Sequence, residues 1–105
     1  MIKNKKDVIE LIKNHVKEID PLAEVILYGS RARGEERSDS DWDILILTGY
    51  SVSLDKEKEF RHHLFDLELM IEEPFSIIVY SKKDWEEKMK ITPFYDNVIS
   101  EGIRL

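Results

Sequence analysis

The sequence contains no cysteine among its 105 residues. Disulfide bonds, thiolate nucleophiles and zinc sites built on cysteine are therefore excluded. It also lacks an excess of positive charge, because 16 Lys and Arg stand against 22 Asp and Glu, which gives a formal net charge of −6. Nonspecific nucleic-acid binding relies on basic side chains that neutralise phosphates, so we expect no such binding by this chain alone.

Long apolar runs are also missing. No stretch approaches the roughly 18 apolar residues of a membrane-spanning helix, and the first ten residues, MIKNKKDVIE, lack the continuous apolar region of a secretory signal. We therefore expect a cytoplasmic protein with no membrane contact. With 42% hydrophobic residues and no repeat or linker, the chain is predicted to form one domain over residues 1–105.

The hydrophobic pattern alternates between helical and strand-like segments. This order predicts an α/β (α+β) fold, in which a small mixed sheet of at least three strands is covered by helices on one or both sides. The predicted strands are Ala23 to Tyr28, Asp41 to Leu47 and Phe75 to Tyr80. The predicted helices are Lys5 to Ile19, a short turn over Ser30 to Gly34, Leu54 to Ile71, Ser81 to about Lys90, and a last helix that Thr92 caps.

Two carboxylates, Asp41 and Asp43, directly precede the apolar run ILIL. Side chains alternate along a strand, so both carboxylates fall on one face, with their Cα atoms about 6.5 Å apart. A carboxylate pair of this kind can converge on one hard cation, and oxygen ligands favour Mg²⁺ or Mn²⁺ over zinc. Magnesium normally completes its coordination with waters and substrate phosphates, which indicates a phosphate-bearing ligand.

Spacing excludes two other interpretations of this stretch. An EF-hand loop that starts at Asp39 needs Gly at its sixth position and Glu at its twelfth, where the sequence has Ile44 and Tyr50. A P-loop needs Lys and then Ser or Thr after its second glycine. Here Gly34 is followed by Glu35 and Glu36, which would repel the phosphates.

A structural alternative stays open at this point. The two aspartates could pair with nearby arginines, Arg31, Arg33 or Arg37, as a solvated start of the strand. This alternative suits Glu35, Glu36 and Asp39 better than Asp41 and Asp43, because Asp41 and Asp43 directly precede the buried apolar run. A metal site is therefore the preferred interpretation of the pair.

The segment before these acids is typical of an anion-binding turn. Gly29 allows a ligand to approach the backbone closely. Ser30 offers a hydroxyl and an N–H group at the start of a helical turn, and Arg31 and Arg33 add positive charge. A plain strand-to-helix turn explains these residues equally well on their own. The paired aspartates eleven residues after Ser30 favour the ligand-binding interpretation.

These residues together resemble the polymerase-β-type nucleotidyltransferase superfamily. Its signature is a hydrophobic residue, Gly and Ser, a spacer, and then Asp-x-Asp among apolar residues. The sequence has Tyr28-Gly29-Ser30, a ten-residue spacer, and Asp41-Trp42-Asp43. The longer string GSRARGEERSDSDWDILI is most similar to the small stand-alone group called minimal nucleotidyltransferases (MNT).

The resemblance implies a transferase that moves a nucleoside monophosphate, AMP from ATP, to a hydroxyl on a partner protein or another acceptor. It implies Mg²⁺, or Mn²⁺, as cofactor and a nucleoside triphosphate as substrate. Proteins of this group are often paired with a small helical HEPN-type toxin, so the chain would be an antitoxin. The implied nucleotide-binding residues are Gly29, Ser30, Arg31 and Arg33, and the implied metal-binding and catalytic residues are Asp41 and Asp43.

One position departs from the family pattern. The family usually adds a third acidic residue on a later strand, and the matching position in FSIIVY is Ser76. Glu68, Glu72 or Glu73 could substitute, since all three lie close to that strand in sequence. If none does, an alternative function follows, a catalytically impaired module of the same fold that binds a nucleotide or a partner.

Overall fold

The chain folds into three layers, with one sheet between two groups of helices. The computed structural model describes residues 4–105. The helices are α1 (Lys5–Ile19), α2 (Ser30–Arg33), α3 (Leu54–Ile71), α4 (Lys82–Glu87) and α5 (Pro93–Glu101). The strands are β1 (Glu24–Tyr28), β2 (Trp42–Thr48), β3 (Phe75–Ser81) and β4 (Ile103–Arg104).

The sheet is mixed and its strand order is β3-β2-β1-β4. β1 pairs antiparallel with both β2 and β4, whereas β2 and β3 are parallel and are joined by α3. The central strands β1 and β2 are buried along most of their length. The predicted α/β fold with a small mixed sheet is therefore confirmed.

Each face of the sheet packs against its own helices. On one face, Ile44 and Ile46 of β2 contact an apolar cluster with α1 and α3. On the other face, Leu45 and Leu47 pack with Trp85 of α4 and Val98 of α5. Alternation along β2 therefore assigns every side chain to one of two environments, which we call the α1/α3 face and the α4/α5 face.

Local sequence explains where the helices begin. Asn4, Ser53, Ser81 and Thr92 each accept a hydrogen bond from a backbone N–H in the first turn of the helix that follows. Such caps satisfy N–H groups that have no partner within the helix. Pro93 at the first position of α5 adds a residue whose fixed φ suits a helix start.

The predicted boundaries of α1 and α3 are confirmed. β1 and β3 each differ from the prediction by one residue at one end, and larger differences are found at β2, α4 and β4. β2 begins at Trp42 rather than at Asp41, which leaves Asp41 in the segment just before the strand. α4 ends at Glu87 rather than near Lys90, because the chain must leave the helical conformation before the Thr92–Pro93 cap. The two-residue strand β4 was not predicted, since it is too short to show a periodic pattern.

No helix within residues 4–105 has both the length and the apolar character needed to cross a membrane.

Candidate active site

The two signature segments of the sequence meet at one end of the sheet. Asp43 of β2 is paired in register with Tyr28 of β1 and with Ser76 of β3. Residues opposite one another in adjacent strands point to the same side, so these three side chains form a row. The row lies on the α4/α5 face, because Asp43 has the same parity as Leu45 and Leu47.

Gly29 brings the turn after β1 directly against Asp43. A Cβ atom added to Gly29 would lie only 2.1 Å from Oδ2 of Asp43 and 3.0 Å from its Cγ. The backbone of Gly29 has φ 75° and ψ −161°, a conformation that is essentially restricted to glycine. Glycine is therefore required here both for its backbone angles and for the space that the Asp43 carboxylate occupies.

The carboxylates of Asp41 and Asp43 have no salt-bridge partner among residues 4–105. Within residues 4–105, neither carboxylate forms an ion pair or accepts a hydrogen bond from another side chain. The structural alternative, in which each acid is held by its own arginine, is therefore absent from this part of the chain.

Burial and neighbouring charge act on Asp43 in the same direction. Partial burial is the main cause that raises the pKa of the Asp43 carboxyl, and the negative charge of Asp41 raises it further. The Arg33 guanidinium lowers the pKa of Asp43, and the negative charge of Glu101 raises it. A group whose anionic form is disfavoured in this way would gain from a bound cation.

Tyr28, at the other end of the row, is also affected. Burial, followed by the charge of Asp43, raises the pKa of the Tyr28 phenol to about 12. The phenol therefore keeps its proton at neutral pH and can donate a hydrogen bond. Its ring packs edge-on against Phe94 of α5, with the ring centroids 5.3 Å apart, so α5 supports the row from the side.

The third carboxylate of the family pattern is missing from the row. Its position, opposite Asp43 in β3, is held by Ser76. Among residues 4–105 no group of three His, Cys, Asp or Glu side chains is arranged to hold a metal ion. Any metal at Asp41 and Asp43 would therefore take its remaining ligands from water or from a phosphate-bearing substrate.

The glutamates considered as substitutes lie elsewhere. Glu73 accepts a hydrogen bond of 2.8 Å from Nε1 of Trp42, whose side chain is on the α1/α3 face. Glu68 accepts a 2.5 Å bond from the backbone N–H of Phe75, and Glu72 ends α3 with a positive φ of 58°. Glu68 and Glu73 are thus held by other partners, and none of the three belongs to the row with Asp43.

Arg33 and Arg31, both predicted to bind the nucleotide, have different surroundings. Arg33 is at the surface near Asp43, where its Nη1 lies 2.6 Å from Oε2 of Glu101 and its Nε lies 2.5 Å from Oε1 of Glu35. Arg31 is only 7% exposed, and its Nε and Nη2 donate to the carbonyl oxygen of Ser40. Arg31 would have to give up these bonds to reach a phosphate.

The structure also brings Glu101, which sequence reasoning missed, close to the predicted site. Glu101 is the last residue of α5, and Arg33 is 68 residues earlier in the chain. Gly102 allows this close packing, because an added Cβ would lie 2.4 Å from the carbonyl oxygen of Val98 and 2.8 Å from Cγ2 of Ile26. No local pattern in the sequence could have indicated this contact, which depends on how α5 returns to β1.

Comparisons with known proteins agree with this geometry. The family described as "Nucleotidyltransferase domain" matches residues 9–100, which include the glycine turn, both aspartates and Ser76. The chain belongs to this nucleotidyltransferase domain family. Its resemblance to nucleotidyltransferases, predicted from the sequence, is therefore confirmed, and membership supports the transfer of nucleotides as the general activity.

A curated relative is similar over almost its whole length. It is named "Putative protein adenylyltransferase MJ0141", from Methanocaldococcus jannaschii, and is 33% identical, with 94% of this chain and 99% of the relative covered. At this identity and coverage, the relative supports the same family assignment.

Solved structures share the fold at low identity. A toxin–antitoxin crystal structure with AMP-PNP superposes with a TM-score of 0.66 and 15% identity, covering 96% of this chain and 72% of that one. A mutant of the toxin–antitoxin MntA-HpeT gives 0.62 and 13%, with 97% and 72% covered. At these identities the similarity shows a common fold.

Proposed function

We propose that the chain is a Mg²⁺-dependent adenylyltransferase that moves AMP from ATP to a hydroxyl on a partner protein. The observation that carries this proposal is the contact between the Gly29 turn and the Asp43 carboxylate. It places Asp43, which has no salt-bridge partner within residues 4–105, next to a backbone segment that a triphosphate can approach. The name of the curated relative supports AMP as the group transferred and a protein as the acceptor.

The residues present fit a divalent ion. Asp41 and Asp43 supply hard oxygen ligands, and burial together with the negative charge of Asp41 disfavours the anionic form of Asp43. The ion, when bound, would neutralise phosphate charge and favour in-line displacement at phosphorus. Mn²⁺ has the same preference for oxygen ligands and would serve in its place.

The remaining residues of the site would hold the triphosphate. The hydroxyl of Ser30 makes no hydrogen bond to another side chain or backbone group within the described chain, so it is available to a phosphate oxygen. Arg33 lies at the surface and can exchange its exposed partner Glu35 for a phosphate. Gly29 has no side chain, which lets the turn lie directly against the Asp43 carboxylate, so a triphosphate held at the turn would be next to the proposed metal ligand.

In the proposed reaction, the acceptor oxygen forms a bond to the α-phosphorus of ATP. The bond between that phosphorus and the bridging oxygen breaks, and pyrophosphate leaves with the electron pair. The acceptor proton is released to solvent, because Ser76 cannot take the role of a carboxylate base. We expect slow turnover as a result.

We propose further that the acceptor belongs to a small helical HEPN-type toxin, with this chain as its antitoxin. The support is that structures which share the fold are toxin–antitoxin complexes, one of them with AMP-PNP. The resemblance to minimal nucleotidyltransferases points to the same pairing.

Transfer of a label from ATP tests the proposal. Wild type, Mg²⁺ and a candidate HEPN-type partner are incubated with ATP labelled at the α-phosphate, and in parallel with ATP labelled at the γ-phosphate. We expect the α-label alone to enter the partner, and Asp43→Asn to abolish the transfer. Transfer of the γ-label, or equal transfer by Asp43→Asn, would contradict the proposal.

A second candidate function is favoured by Ser76. Without a third carboxylate opposite Asp43, the chain could bind Mg²⁺ and a nucleotide and not transfer it. Calorimetry combined with the label assay separates the two functions. Such a module would bind ATP with Mg²⁺ in calorimetry and give no labelled product.

A further inference from the structure

We infer that Arg31 is a positioning residue, which acts on Asp41 from behind the proposed site rather than on the nucleotide. This inference rests on the proposed function, since it concerns the same metal-binding pair. Arg31 follows Ser30 directly in α2, yet its side chain is 7% exposed and lies against Trp42, on the α1/α3 face.

The guanidinium group of Arg31 holds the residue that precedes Asp41. Its Nε and Nη2 both donate to the carbonyl oxygen of Ser40, at 3.1 Å and 2.8 Å. Two donors of one rigid fork on one acceptor restrict both the distance and the direction of that carbonyl group.

The same guanidinium group holds the residue that follows Asp41. Its central carbon lies 4.5 Å from the ring centroid of Trp42, a cation–π contact. Glu73 completes the arrangement, because its Oε2 accepts from Nε1 of Trp42 at 2.8 Å and its Oε1 lies 3.8 Å from Nη2 of Arg31. Arg31 therefore contacts the neighbours of Asp41 on both sides.

Asp41 needs such support because the sheet does not provide it. It lies before the first residue of β2, is exposed, and forms no ion pair within residues 4–105. Metal ligands must be held within about 0.5 Å of the productive geometry to work as a set. Since Arg31 is bonded to Ser30, its contacts also fix the spacing between the proposed phosphate and metal residues.

Two roles for Arg31 make different predictions for binding. A direct phosphate contact would lower the affinity for nucleotide even without metal. A positioning role would weaken metal binding and leave metal-free nucleotide binding nearly unchanged, because the arginine never meets the phosphates.

The test uses Arg31→Met, which keeps an unbranched apolar stem and removes the charge and donors, and Arg31→Lys, which offers Ser40 a single donor group. Glu73→Gln keeps an acceptor for Trp42 and weakens the hold on Arg31. The control is Val16→Ala. Val16 is buried in the same apolar cluster and lies in α1, about 16 Å along the helix axis from its first residue, Lys5. Mn²⁺ binding is measured by electron paramagnetic resonance, with and without a non-hydrolysable ATP analogue, and metal-free binding of the analogue is measured by calorimetry.

We expect Arg31→Met to weaken Mn²⁺ binding in the presence of the analogue by about tenfold or more, as substitutions behind metal ligands commonly do. Arg31→Lys and Glu73→Gln should give smaller losses in the same direction, and Val16→Ala none. An equal loss in metal-free analogue binding would overturn the inference and assign Arg31 to the phosphates.

Amide hydrogen exchange of residues 38–43 in the ligand-free protein gives an independent readout. Exchange should be faster in Arg31→Met and Arg31→Lys than in wild type, and unchanged in Val16→Ala. Unchanged exchange in the arginine variants would overturn the inference. If wild type bound no Mn²⁺ with the analogue, the proposed function would fail, and the exchange rates would still decide whether Arg31 fixes this segment.

Discussion

Replacement of Gly29 by alanine is the substitution whose effect the structure determines best. The new methyl group would lie 2.1 Å from Oδ2, 3.0 Å from Cγ and 3.3 Å from Cβ of Asp43. It cannot be accommodated unless the Asp43 carboxylate rotates away or the turn shifts. Either movement separates the proposed metal ligand from the proposed phosphate-binding turn.

Two costs contribute to the loss of stability. The backbone at Gly29, with φ 75° and ψ −161°, costs a residue with a side chain about 1–3 kcal/mol. The clash with the Asp43 side chain, or the displacement that relieves it, adds up to about 1–3 kcal/mol. For a domain of this size each kcal/mol lowers Tm by roughly 4–8 °C, so the decrease is large enough for calorimetry or circular dichroism to measure.

Gly34→Ala is the matched control. Gly34 also has φ 75°, with ψ 22°, but an added Cβ would meet no atom within 4 Å. Its replacement should lower the free energy of unfolding only by the cost of a left-handed backbone conformation, about 1–2 kcal/mol.

A double-variant cycle isolates the steric contact. In an Asp43→Ala background the clashing oxygen and Cγ are gone, so the cost of Gly29→Ala should fall to its backbone part. Chemical denaturation of the four proteins gives the coupling energy, and label transfer is measured on the same samples. The reasoning would be refuted if Gly29→Ala cost no more than Gly34→Ala and the same in both backgrounds.

Three further substitutions have clear expected outcomes. Asp43→Asn should raise the Tm of the ligand-free protein at neutral pH, because the pKa of Asp43 is raised in the folded state and its charge therefore destabilises the fold. This gain in Tm should shrink as the pH falls through the raised pKa towards the ordinary value. A gain in Tm that does not change across this range would contradict the prediction. Ser76→Asp should restore a carboxylate opposite Asp43 and increase label transfer by about tenfold or more, whereas the uncharged Ser76→Asn should not increase it. Equal rates for the two variants would show that position 76 does not supply the missing ligand. Gly102→Ala should lower the free energy of unfolding by about 1–3 kcal/mol through its contact with the Val98 carbonyl, while Gly49→Ala, with open space around it, should change it by less than about 0.5 kcal/mol in urea denaturation.

Sequence reasoning was most successful where local chemistry decides structure. The apolar periodicity located α1 and α3 with their observed bounds. The glycine turn and the aspartate pair were recognised because their residue types and spacing are unusual, and the structure brings Gly29 and Asp43 into contact. The resemblance to the family also singled out Ser76, which the structure places opposite Asp43.

Contacts between distant segments could not be predicted in this way. Arg31 and Arg33 are two residues apart and look equivalent in sequence, yet one is buried behind the strand and the other pairs with Glu101 at the surface. Their difference depends on which face of the sheet each side chain meets. β4 and the approach of Glu101 depend in turn on the return of α5 to β1.

The central claim is that Asp41 and Asp43 share one divalent ion with a triphosphate held at the Gly29–Ser30 turn. Crystals grown with Mn²⁺ and a non-hydrolysable ATP analogue, measured at the manganese absorption edge, test it directly. We expect an anomalous peak for manganese within about 2.0–2.3 Å of an oxygen from each aspartate. The same ion should contact a phosphate group whose density lies beside Ser30. A peak at other residues, or phosphate density away from this turn, would contradict it.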